Sequence, residues 1–389
     1  MLSLLIISSQ INVEEARGNN SKKESLTVEQ KEIIKKIESH SEAVIVKNEG
    51  MRDPYMVYNR YDDYYYLSGT TSGGNLDIWR SRDMAVWESV KTNHNVKDNP
   101  NYTDGNWLWA PEMHWDTKTN RWITVYCPGK NSAFMTTTGD SFDSGWNFPE
   151  AHSQFWSKHD PALFQDSDGE WYILHCMLNP AKKDNKTKVQ QITNFNSSQD
   201  TKGTTLGEVF KIQPSDERLG HEGWQMLKIG SHYVFIGTAW SQGGTMKTGT
   251  YNLYYCTSKN LKGDKDGKYG ERKYLGKCLG HGVLFQDRDG RWWCTAFPNY
   301  GAGETKESNG DKAYTINEKG TTIIPIDVTY DDDSVTITPK DARYATPGDE
   351  EIGYEDYKEY LKYIDGLSSE QTKPTIKEYR YRRLDHPIK

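Results

Sequence analysis

One arrangement of residues recurs five times along this 389-residue chain. Each copy joins an acidic residue or His near a Pro or Gly to an apolar strand, a polar turn and an aromatic-rich strand. The copies read DPYMVYNRYDDYYYLSG, APEMHWDTKTNRWITVY, DPALFQDSDGEWYILHC, EGWQMLKIGSHYVFIGT and HGVLFQDRDGRWWCTAF, beginning at Asp53, Ala110, Asp160, Glu222 and His281. A period of about 40 to 60 residues with a hairpin in each unit is typical of propeller blades. The repeat therefore predicts an all-β fold, a five-bladed β-propeller.

The turn residues and the end of the repeat region agree with this prediction. Asp168-Gly169 and Asp289-Gly290 separate alternating strands, where Gly supplies the positive φ that a tight hairpin needs. After the fifth copy, Thr321 to Val328 and Ser334 to Thr338 are expected to form the strands that finish and close the ring.

The repeat region sets the expected domain organisation. Residues 44–345 are predicted to form the propeller, with a helix over 25–43 that begins at a Thr27/Gln30 capping box. The segment 346–389 is a C-terminal extension in which Tyr354 to Ile364 is expected to be helical. Residues 1–24 contain the short apolar run Leu2 to Ile7 and then a polar linker.

The apolar run Leu2 to Ile7 resembles the core of a secretory signal and favours a secreted or periplasmic protein. A mis-set start codon or an N-terminal strand is the alternative interpretation. No other stretch approaches the roughly 18 apolar residues of a membrane span.

Charge and cysteine content exclude several partners. The net charge is −7 and lysine and arginine form no concentrated stripe, which argues against a nucleic-acid partner. The five cysteines include no Cys-x-x-Cys pair, so neither a structural metal nor a redox motif is indicated, and buried thiols are expected.

Five polar side chains should converge on the propeller axis, because the innermost strand of each blade lines the central channel. They are Asp53, Glu112, Asp160, Glu222 and His281. Four carboxyl groups and an imidazole in one cleft lose hydration and perturb each other's pKa values, so such a cluster is usually functional.

The residue types favour glycoside hydrolysis over metal-assisted hydrolysis. No His-Glu-x-x-His or comparable ligand motif is present, whereas glycoside hydrolysis needs one carboxylic acid and one carboxylate. A surplus of aromatic residues, 25 Tyr and 13 Trp, also suits sugar binding. The tryptophans closest to the expected rim are Trp79, Trp107, Trp109, Trp224 and Trp240, of which Trp224 is the best candidate for sugar contact.

The motifs at these positions resemble glycoside hydrolase family 43, which contains inverting arabinofuranosidases, xylosidases and arabinanases built on five-bladed propellers. The resemblance covers about residues 50 to 300 and is carried by Arg52-Asp53-Pro54, Trp109-Ala110-Pro111-Glu112, Asp160-Pro161-Ala162-Leu163-Phe164, Glu222-Gly223 and Gly280-His281-Gly282. It implies a carbohydrate substrate of plant or algal origin, hydrolysed with inversion.

The resemblance also implies roles for single residues. Asp53 matches the general base, Glu222 the general acid, and Asp160 the residue that orients the acid and keeps it protonated. His281 matches an axial His that often sits over a water or a calcium ion, and no other cofactor is implied. Residues expected to bind substrate are Arg52, Trp109, Glu112, His159, His221 and Trp224.

Departures from the family pattern surround the sugar pocket. Trp224 replaces the usual Pro, His159 replaces an Ile, and His221 precedes the acid. Together with Lys158 and Lys228, these histidines could favour an anionic or anhydro sugar over a pentose.

Two other functions are compatible with a propeller of this kind. A non-catalytic carbohydrate-binding propeller would keep the aromatic residues without needing an acid and a base together. A lyase or sialidase-like enzyme would need six or seven blades, and the chain shows five repeats and no Ser-x-Asp-x-Gly-x-Thr-Trp box.

Overall fold

The structure is a computed structural model of the whole chain. It describes residues 26–49, 51–100, 107–128, 132–148, 158–177, 187–193, 205–215, 219–240, 250–298, 316, 319–345, 362–368, 370–372 and 374.

A helix and a strand precede the first blade. They are α1 (Val28–Ser39) and β1 (Val44–Lys47). The predicted capping box is present, since the Thr27 side chain accepts the Gln30 N–H and the Gln30 side chain accepts the Thr27 N–H. The helix ends at His40, which adopts a left-handed conformation, and it buries Ile37 against the propeller.

The described strands form five separate antiparallel sheets, which confirms the predicted five-bladed propeller. The first blade contains β2 (Arg52–Asn59), β3 (Tyr64–Thr70), β4 (Ile78–Ser81) and β5 (Glu88–Val90). The second blade contains β6 (Trp109–Asp116), β7 (Arg121–Cys127), β8 (Ala133–Thr137) and β9 (Trp146–Asn147).

The third and fourth blades repeat this order of four consecutive strands. The third contains β10 (Lys158–Gln165), β11 (Trp171–Met177), β12 (Thr187–Thr193) and β13 (Thr205–Ile212). The fourth contains β14 (Glu222–Ile229), β15 (His232–Trp240), β16 (Tyr251–Ser258) and β17 (Lys273–Gly276). Gly169 and Gly290, predicted to be hairpin glycines, have φ values of 85° and 78°.

The fifth blade closes the ring with strands from both ends of the repeat region. It contains β18 (Leu284–Gln286), β19 (Trp292–Ala296), β20 (Thr321–Tyr330) and β21 (Val335–Pro339). One edge of β20 is shared, because β1 pairs with residues 321–323 and β21 pairs with residues 326–330. The N-terminal strand β1 thus forms an outer strand of the last blade, and the chain continues from it directly into the first blade.

Apolar layers between adjacent blades form the hydrophobic core. Ile123 of the second blade packs with Leu163 of the third, and Met56 of the first blade packs with Trp293 of the fifth. Similar layers join the remaining pairs of neighbouring blades. This packing holds the five innermost strands around one axis.

Two predictions at the chain ends have different outcomes. Residues 362–365 are helical and the Gly366 N–H bonds to the carbonyls of Lys362 and Tyr363, but the rest of the predicted helix Tyr354 to Ile364 lies outside the described residues. The limits of the propeller domain at residues 44 and 345 stay a prediction. In the described part of the chain, no helix has the length and apolar character needed to cross a membrane.

Candidate active site

The innermost end of every blade contains one residue with a positive φ. These residues are Asp53 (51°), Ala110 (45°), Asp160 (48°), Gly223 (62°) and His281 (57°). In the first four blades the register between the first two strands shifts at the same place, as in a β-bulge. Left-handed backbone is costly for residues other than Gly and is found most often at functional sites.

This bulge changes the alignment of the fourth repeat by one residue. The alignment of the five repeats placed Glu222 at the position of Asp53. The backbone instead places Gly223 at that position and Glu222 at the position of Arg52. Glycine is required at 223, because a Cβ atom would lie 2.6 Å from Thr238 Oγ1 and 3.0 Å from His281 Cα. Glu222 therefore enters the site from a different backbone position than Asp53 and Asp160.

His281 lies between two carboxylates. Its Nδ1 is 3.1 Å from Asp53 Oδ1 and its Nε2 is 3.9 Å from Asp160 Oδ2. Burial alone would lower the pKa of His281, but the charges of Asp53 and Asp160 outweigh burial and raise it to about 9. The imidazole is therefore positively charged at neutral pH.

Asp53 is held ionised by its neighbours. Its Oδ2 accepts a hydrogen bond of 2.9 Å from the Thr70 hydroxyl, and its Oδ1 faces His281. Burial would raise the pKa of Asp53, but the charge of His281, with smaller contributions from Arg52 and Thr70, lowers it below the ordinary value. An ionised carboxylate is the state that a general base needs.

Glu222 has a different environment from Asp53. Its Oε1 accepts a hydrogen bond from the Tyr251 hydroxyl, and His221 Nε2 lies 3.4 Å from the same oxygen. The Glu222 side chain keeps 27% of its surface exposed, so it can reach a ligand in the mouth of the channel.

Tyr251 lies at the site but was not predicted from the repeats in the sequence. It lies on the third strand of the fourth blade and is buried, with only 1% of its surface exposed. The Tyr251 ring packs directly against the backbone of Gly280, where an added Cβ atom would lie 2.2 Å from the ring. The repeat signal covers only the first two strands of each blade, so it could not single out this residue.

Asp160 connects the two halves of the site. It is buried, its Oδ2 faces His281, and the same oxygen accepts the Gly223 N–H at 3.3 Å. It therefore contacts the backbone of the residue that follows Glu222. One continuous set of contacts runs from Asp53 through His281 and Asp160 to the backbone beside Glu222.

Trp224 corrects a prediction, because it does not face the substrate. Its side chain is 2% exposed and its ring stacks on Phe235 with 5.6 Å between centroids. Gly237 lies against the same ring. The bulge at Gly223 turns the next side chain away from the axis and into the layer between the third and fourth blades.

Glu112 is largely buried and bonds to the neighbouring blade. It is buried, its Oε2 accepts the Leu163 N–H of the third blade at 3.3 Å, and the same oxygen lies 3.3 Å from His114 Nε2. Burial raises the pKa of Glu112. Glu112 therefore joins two blades, and its expected contact with substrate stays a prediction.

Lys228 is too far along its strand to reach the pocket. Its ammonium group lies 3.1 Å from Asp166 Oδ1 and donates to Ser167 Oγ and the Tyr233 hydroxyl in the hairpins of the third and fourth blades. It is five residues beyond Gly223, or roughly 16 Å along a strand. Lys228 therefore does not support recognition of an anionic sugar.

The remaining predicted residues are distributed as follows. Arg52 lies beside Asp53, with its guanidinium 5.6 Å from the centroid of the Phe297 ring, and Trp109 opens the second blade in a partly exposed position. His221 lies next to Glu222. The side chains of His159 and Lys158 lie outside the described part of the structure.

The sequence predicts a water or a calcium ion beside His281. Both ring nitrogens of His281 face carboxylates, with Nδ1 3.1 Å from Asp53 Oδ1 and Nε2 3.9 Å from Asp160 Oδ2. Among the described residues, no group of three His, Cys, Asp or Glu could hold a metal. The residues present therefore do not fit a cation ligated by His281.

Comparisons with known proteins agree with the fold and the motifs. A family model described as "Glycosyl hydrolases family 43" matches residues 44–333. A curated relative, a xylan 1,3-beta-xylosidase from Vibrio sp, is 24% identical in an alignment 259 residues long that covers 60% of this chain and 45% of the relative. The match thus spans less than half of the length of that relative.

Solved structures with the same fold come from several bacteria. An endo-1,4-beta-xylanase from Bacteroides thetaiotaomicron has a TM-score of 0.53 at 22% identity, covering 76% of this chain and 96% of that one. A putative exo-beta-1,3-galactanase from Bifidobacterium bifidum has a TM-score of 0.53 at 13% identity, covering 77% and 96%. At these identities the likeness establishes the propeller fold alone.

Proposed function

The chain belongs to glycosyl hydrolase family 43, and from this premise we propose that it hydrolyses a glycosidic bond of a plant or algal polysaccharide or oligosaccharide with inversion of configuration. Asp53 acts as the general base and Glu222 as the general acid. The observation that supports these roles best is the difference between the two environments. Asp53 is held as a carboxylate by His281, whereas Glu222 is oriented by Tyr251 and partly exposed.

In the proposed mechanism Asp53 removes a proton from a water molecule as the oxygen of that water attacks the anomeric carbon. Glu222 gives its proton to the departing glycosidic oxygen on the opposite side of the sugar. The sugar is released with inverted configuration, which requires the two carboxyl groups to be roughly 6.5 to 9.5 Å apart. Each turnover consumes one water and leaves Asp53 protonated and Glu222 ionised, so a proton returns from Asp53 through solvent to Glu222.

Asp160 is proposed as a positioning residue for the acid. It accepts the N–H of Gly223, so it fixes the backbone that carries Glu222, and its charge favours the protonated form of a neighbouring carboxyl. Asp160→Asn should therefore lower kcat and change the alkaline limb of the pH profile. An unaltered profile would remove Asp160 from the mechanism.

We propose arabino-, xylo- or galacto-configured glycosides as the substrate class. The names of two similar proteins, a xylan 1,3-beta-xylosidase and a putative exo-beta-1,3-galactanase, support neutral sugars. The position of Lys228 in the hairpins removes one argument for an anionic sugar. If His159→Ala and His221→Ala leave the preference between charged and neutral oligosaccharides unchanged, the anionic class is excluded.

The roles of acid and base can be separated with aryl glycosides of different leaving groups. An aryl glycoside whose phenol leaves readily needs little protonation, so Glu222→Gln should hydrolyse it almost normally and lose about 10²- to 10⁴-fold with a poor leaving group. Asp53→Asn should lose activity with both. Glu271→Gln, an exposed glutamate connected to the same blade, is the matched control.

The outcomes distinguish the proposal from its alternative. Activity that is equal in wild type and both variants would contradict the assigned roles. Binding of oligosaccharide without turnover by wild type would instead favour a non-catalytic carbohydrate-binding propeller. Proton NMR during the reaction shows which anomer of the sugar is released first. Release of the anomer opposite in configuration to the substrate is the result expected for inversion.

Secretion or transport to the periplasm is also proposed, on the basis of the apolar run Leu2 to Ile7. This run lies outside the described residues. Mass spectrometry of the N-terminus of the protein recovered from its native host would show whether the run is removed.

A further inference from the structure

A second cavity of about 630 Å³ lies between the first and second blades, at the face of the propeller opposite the candidate active site. Its lining comes from the hairpin after β2, the ends of β4 and β6, and the hairpin between β8 and β9. We call it the opposite-face cavity. Asp53 and Asn59 lie at the two ends of β2, and six residues of strand separate them by roughly 20 Å. The cavity is therefore independent of the catalytic residues.

Three buried aromatic side chains form the rigid floor of the opposite-face cavity. Trp122 stacks on Phe142 with 4.6 Å between ring centroids, and Tyr66 meets Trp122 edge-on at 4.7 Å. All three are at most 4% exposed. Because they belong to the layer between the first two blades, the floor needs no rearrangement before a ligand binds.

Two further aromatic side chains form the rim. Tyr61, in the hairpin after β2, is 65% exposed, and its ring lies 5.8 Å from that of the half-buried Trp115. A large aromatic side chain in a surface hairpin gains little for the fold. The ring of Tyr61 therefore offers a platform for a flat apolar face.

Polar groups of both signs complete the lining. Asp62, Asp140 and Asp143 contribute carboxylates, Arg80 and Lys91 contribute positive charges, and Asn120 contributes an exposed amide. Arg80 is paired with Glu88 at 2.6 Å, and Asp62 accepts the Tyr66 hydroxyl at 2.5 Å, so neither forms a site for an isolated ion. Mixed charges beside aromatic rings match a ligand that is uncharged, rich in hydroxyl groups and apolar on one face.

We propose that the opposite-face cavity is a second, non-catalytic carbohydrate-binding site that holds a segment of a neutral glycan chain. Pyranose and furanose rings present C–H groups to aromatic faces and hydroxyl groups to amides and carboxylates. The cavity is large enough for a short oligosaccharide, since small-molecule sites are about 300 to 1,000 Å³. This site extends the proposed function, because it would keep a polymer bound while the mouth on the other face acts on its chains.

Affinity electrophoresis can test this site separately from catalysis. The background is Glu222→Gln, which is expected to leave the polymer intact during the run. Soluble arabinoxylan, linear arabinan and galactan serve as probes, and polygalacturonate serves as the charged comparison. Tyr61→Ala removes the platform, and Asn120→Gly removes the amide while glycine accommodates the φ of 51° at this position. Tyr330→Ala, which removes a tyrosine 61% exposed in the fifth blade, is the matched control.

We expect at least one neutral polymer to retard the Glu222→Gln background and the Tyr330→Ala control equally. Tyr61→Ala and Asn120→Gly should weaken that binding about threefold to tenfold. When the same two substitutions are made in the protein that keeps Glu222, hydrolysis of a small aryl glycoside should stay unchanged. Equal retardation of Tyr61→Ala and Tyr330→Ala would overturn the proposal, as would retardation by polygalacturonate alone or by none of the polymers. Failure of hydrolysis with intact, Tyr61-dependent binding would instead refute the catalytic proposal only.

Discussion

Glu112 of the second blade and Gln225 of the fourth blade make the same contact to the blade that follows each of them. Glu112 Oε2 accepts the Leu163 N–H at 3.3 Å, and Gln225 Oε1 accepts the Leu284 N–H at 2.9 Å. The Gln225 amide also donates to the Leu284 carbonyl at 2.8 Å. A protonated Glu112 has the donor and the acceptor that Gln225 uses.

Replacing Glu112 by Gln should therefore stabilise the protein as the pH rises. The folded state holds the Glu112 proton more tightly, because burial raises the pKa of this carboxyl above 4.5. The contribution of the protonated Glu112 carboxyl to the free energy of unfolding is complete below pH 4.5. It is lost as the pH rises through the pKa of Glu112 in the folded state. Glu112→Gln removes this loss.

Urea unfolding between pH 4 and pH 8 measures this difference. The gain in free energy of unfolding for Glu112→Gln over wild type should grow with pH and then become constant. Glu271→Gln, at an exposed glutamate, should show no such trend. A gain that is equal at all pH values would contradict the linkage.

Tyr251→Phe should lower kcat without unfolding the protein. The substitution removes the hydroxyl that donates to Glu222 Oε1, so the proposed acid loses a group that orients it. A misplacement of about 1 Å can cost about 10²-fold, and we expect a loss of about 10- to 100-fold in kcat.

Tyr255→Phe is the matched control for Tyr251→Phe, since it removes a hydroxyl from the same strand that bonds to the backbone of the fifth blade at Val335. It should keep kcat while lowering stability slightly. Steady-state kinetics and thermal unfolding of both variants decide the issue. Equal kcat values in the two variants would show that the Tyr251 hydroxyl does not act on the acid.

His281→Gln should move the acid limb of the pH profile of kcat/KM to higher pH. The positive charge of His281 opposes the effect of burial and keeps the pKa of Asp53 low, so its removal raises that pKa. The pH profiles of kcat/KM for wild type and His281→Gln measure this shift.

Thr70→Val removes a smaller contribution from the same carboxylate and provides a graded comparison. It should move the acid limb in the same direction by less, because Thr70 gives Asp53 Oδ2 a hydrogen bond and no charge. The substitution also removes the acceptor of the Ala110 N–H, so thermal unfolding is measured beside the pH profile. An acid limb that stays in place in both variants would show that Asp53 is not the group whose ionisation controls kcat/KM.

Gly223→Ala should cost more stability than Gly169→Ala, although both glycines have a positive φ, 62° and 85°. A left-handed conformation costs a non-glycine residue roughly 1–2 kcal/mol, and this term is common to both variants. Only at Gly223 does the new methyl group meet Thr238 and His281, while nothing lies within 4 Å at Gly169.

Thermal unfolding and activity of the two glycine variants should therefore differ. Gly169→Ala should remain fully active with a small decrease in Tm. Gly223→Ala should lose most activity, because the methyl group displaces His281 or the backbone beside Glu222. Equal effects of the two substitutions would mean that the close packing at Gly223 is not important.

Much of the architecture could be predicted from the sequence because a propeller repeats one local pattern. The spacing of Asp53, Ala110, Asp160 and His281 marks the blades, and Gly169 and Gly290 mark hairpins at the expected places. The closing strand β1 carries no such mark. Its four residues pair with β20, which is far away in sequence, and a local sequence pattern cannot predict such a distant pairing.

The site was less predictable because a bulge alters which side chain faces the axis. The simple alternation of a strand places Trp224 near the acid on the ligand surface, whereas the bulge at Gly223 turns it into the core. Tyr251 comes 29 residues after Glu222 in the sequence. The two residues meet because β14, β15 and β16 pair side by side in the fourth blade. Lys228 lies near Glu222 in sequence, but a strand extends it toward the opposite face.

The pairing of β1 with β20 also constrains how the chain can fold during synthesis. Val44 pairs with Ile323, about 280 residues later in the chain. At a translation rate of about 5–20 residues per second, the N-terminal strand waits roughly 15 to 55 s for its partner to leave the ribosome. During this interval its hydrogen-bonding edge can pair with other nascent chains. A higher rate of translation shortens this interval, and with it the time for which the first strand has no partner.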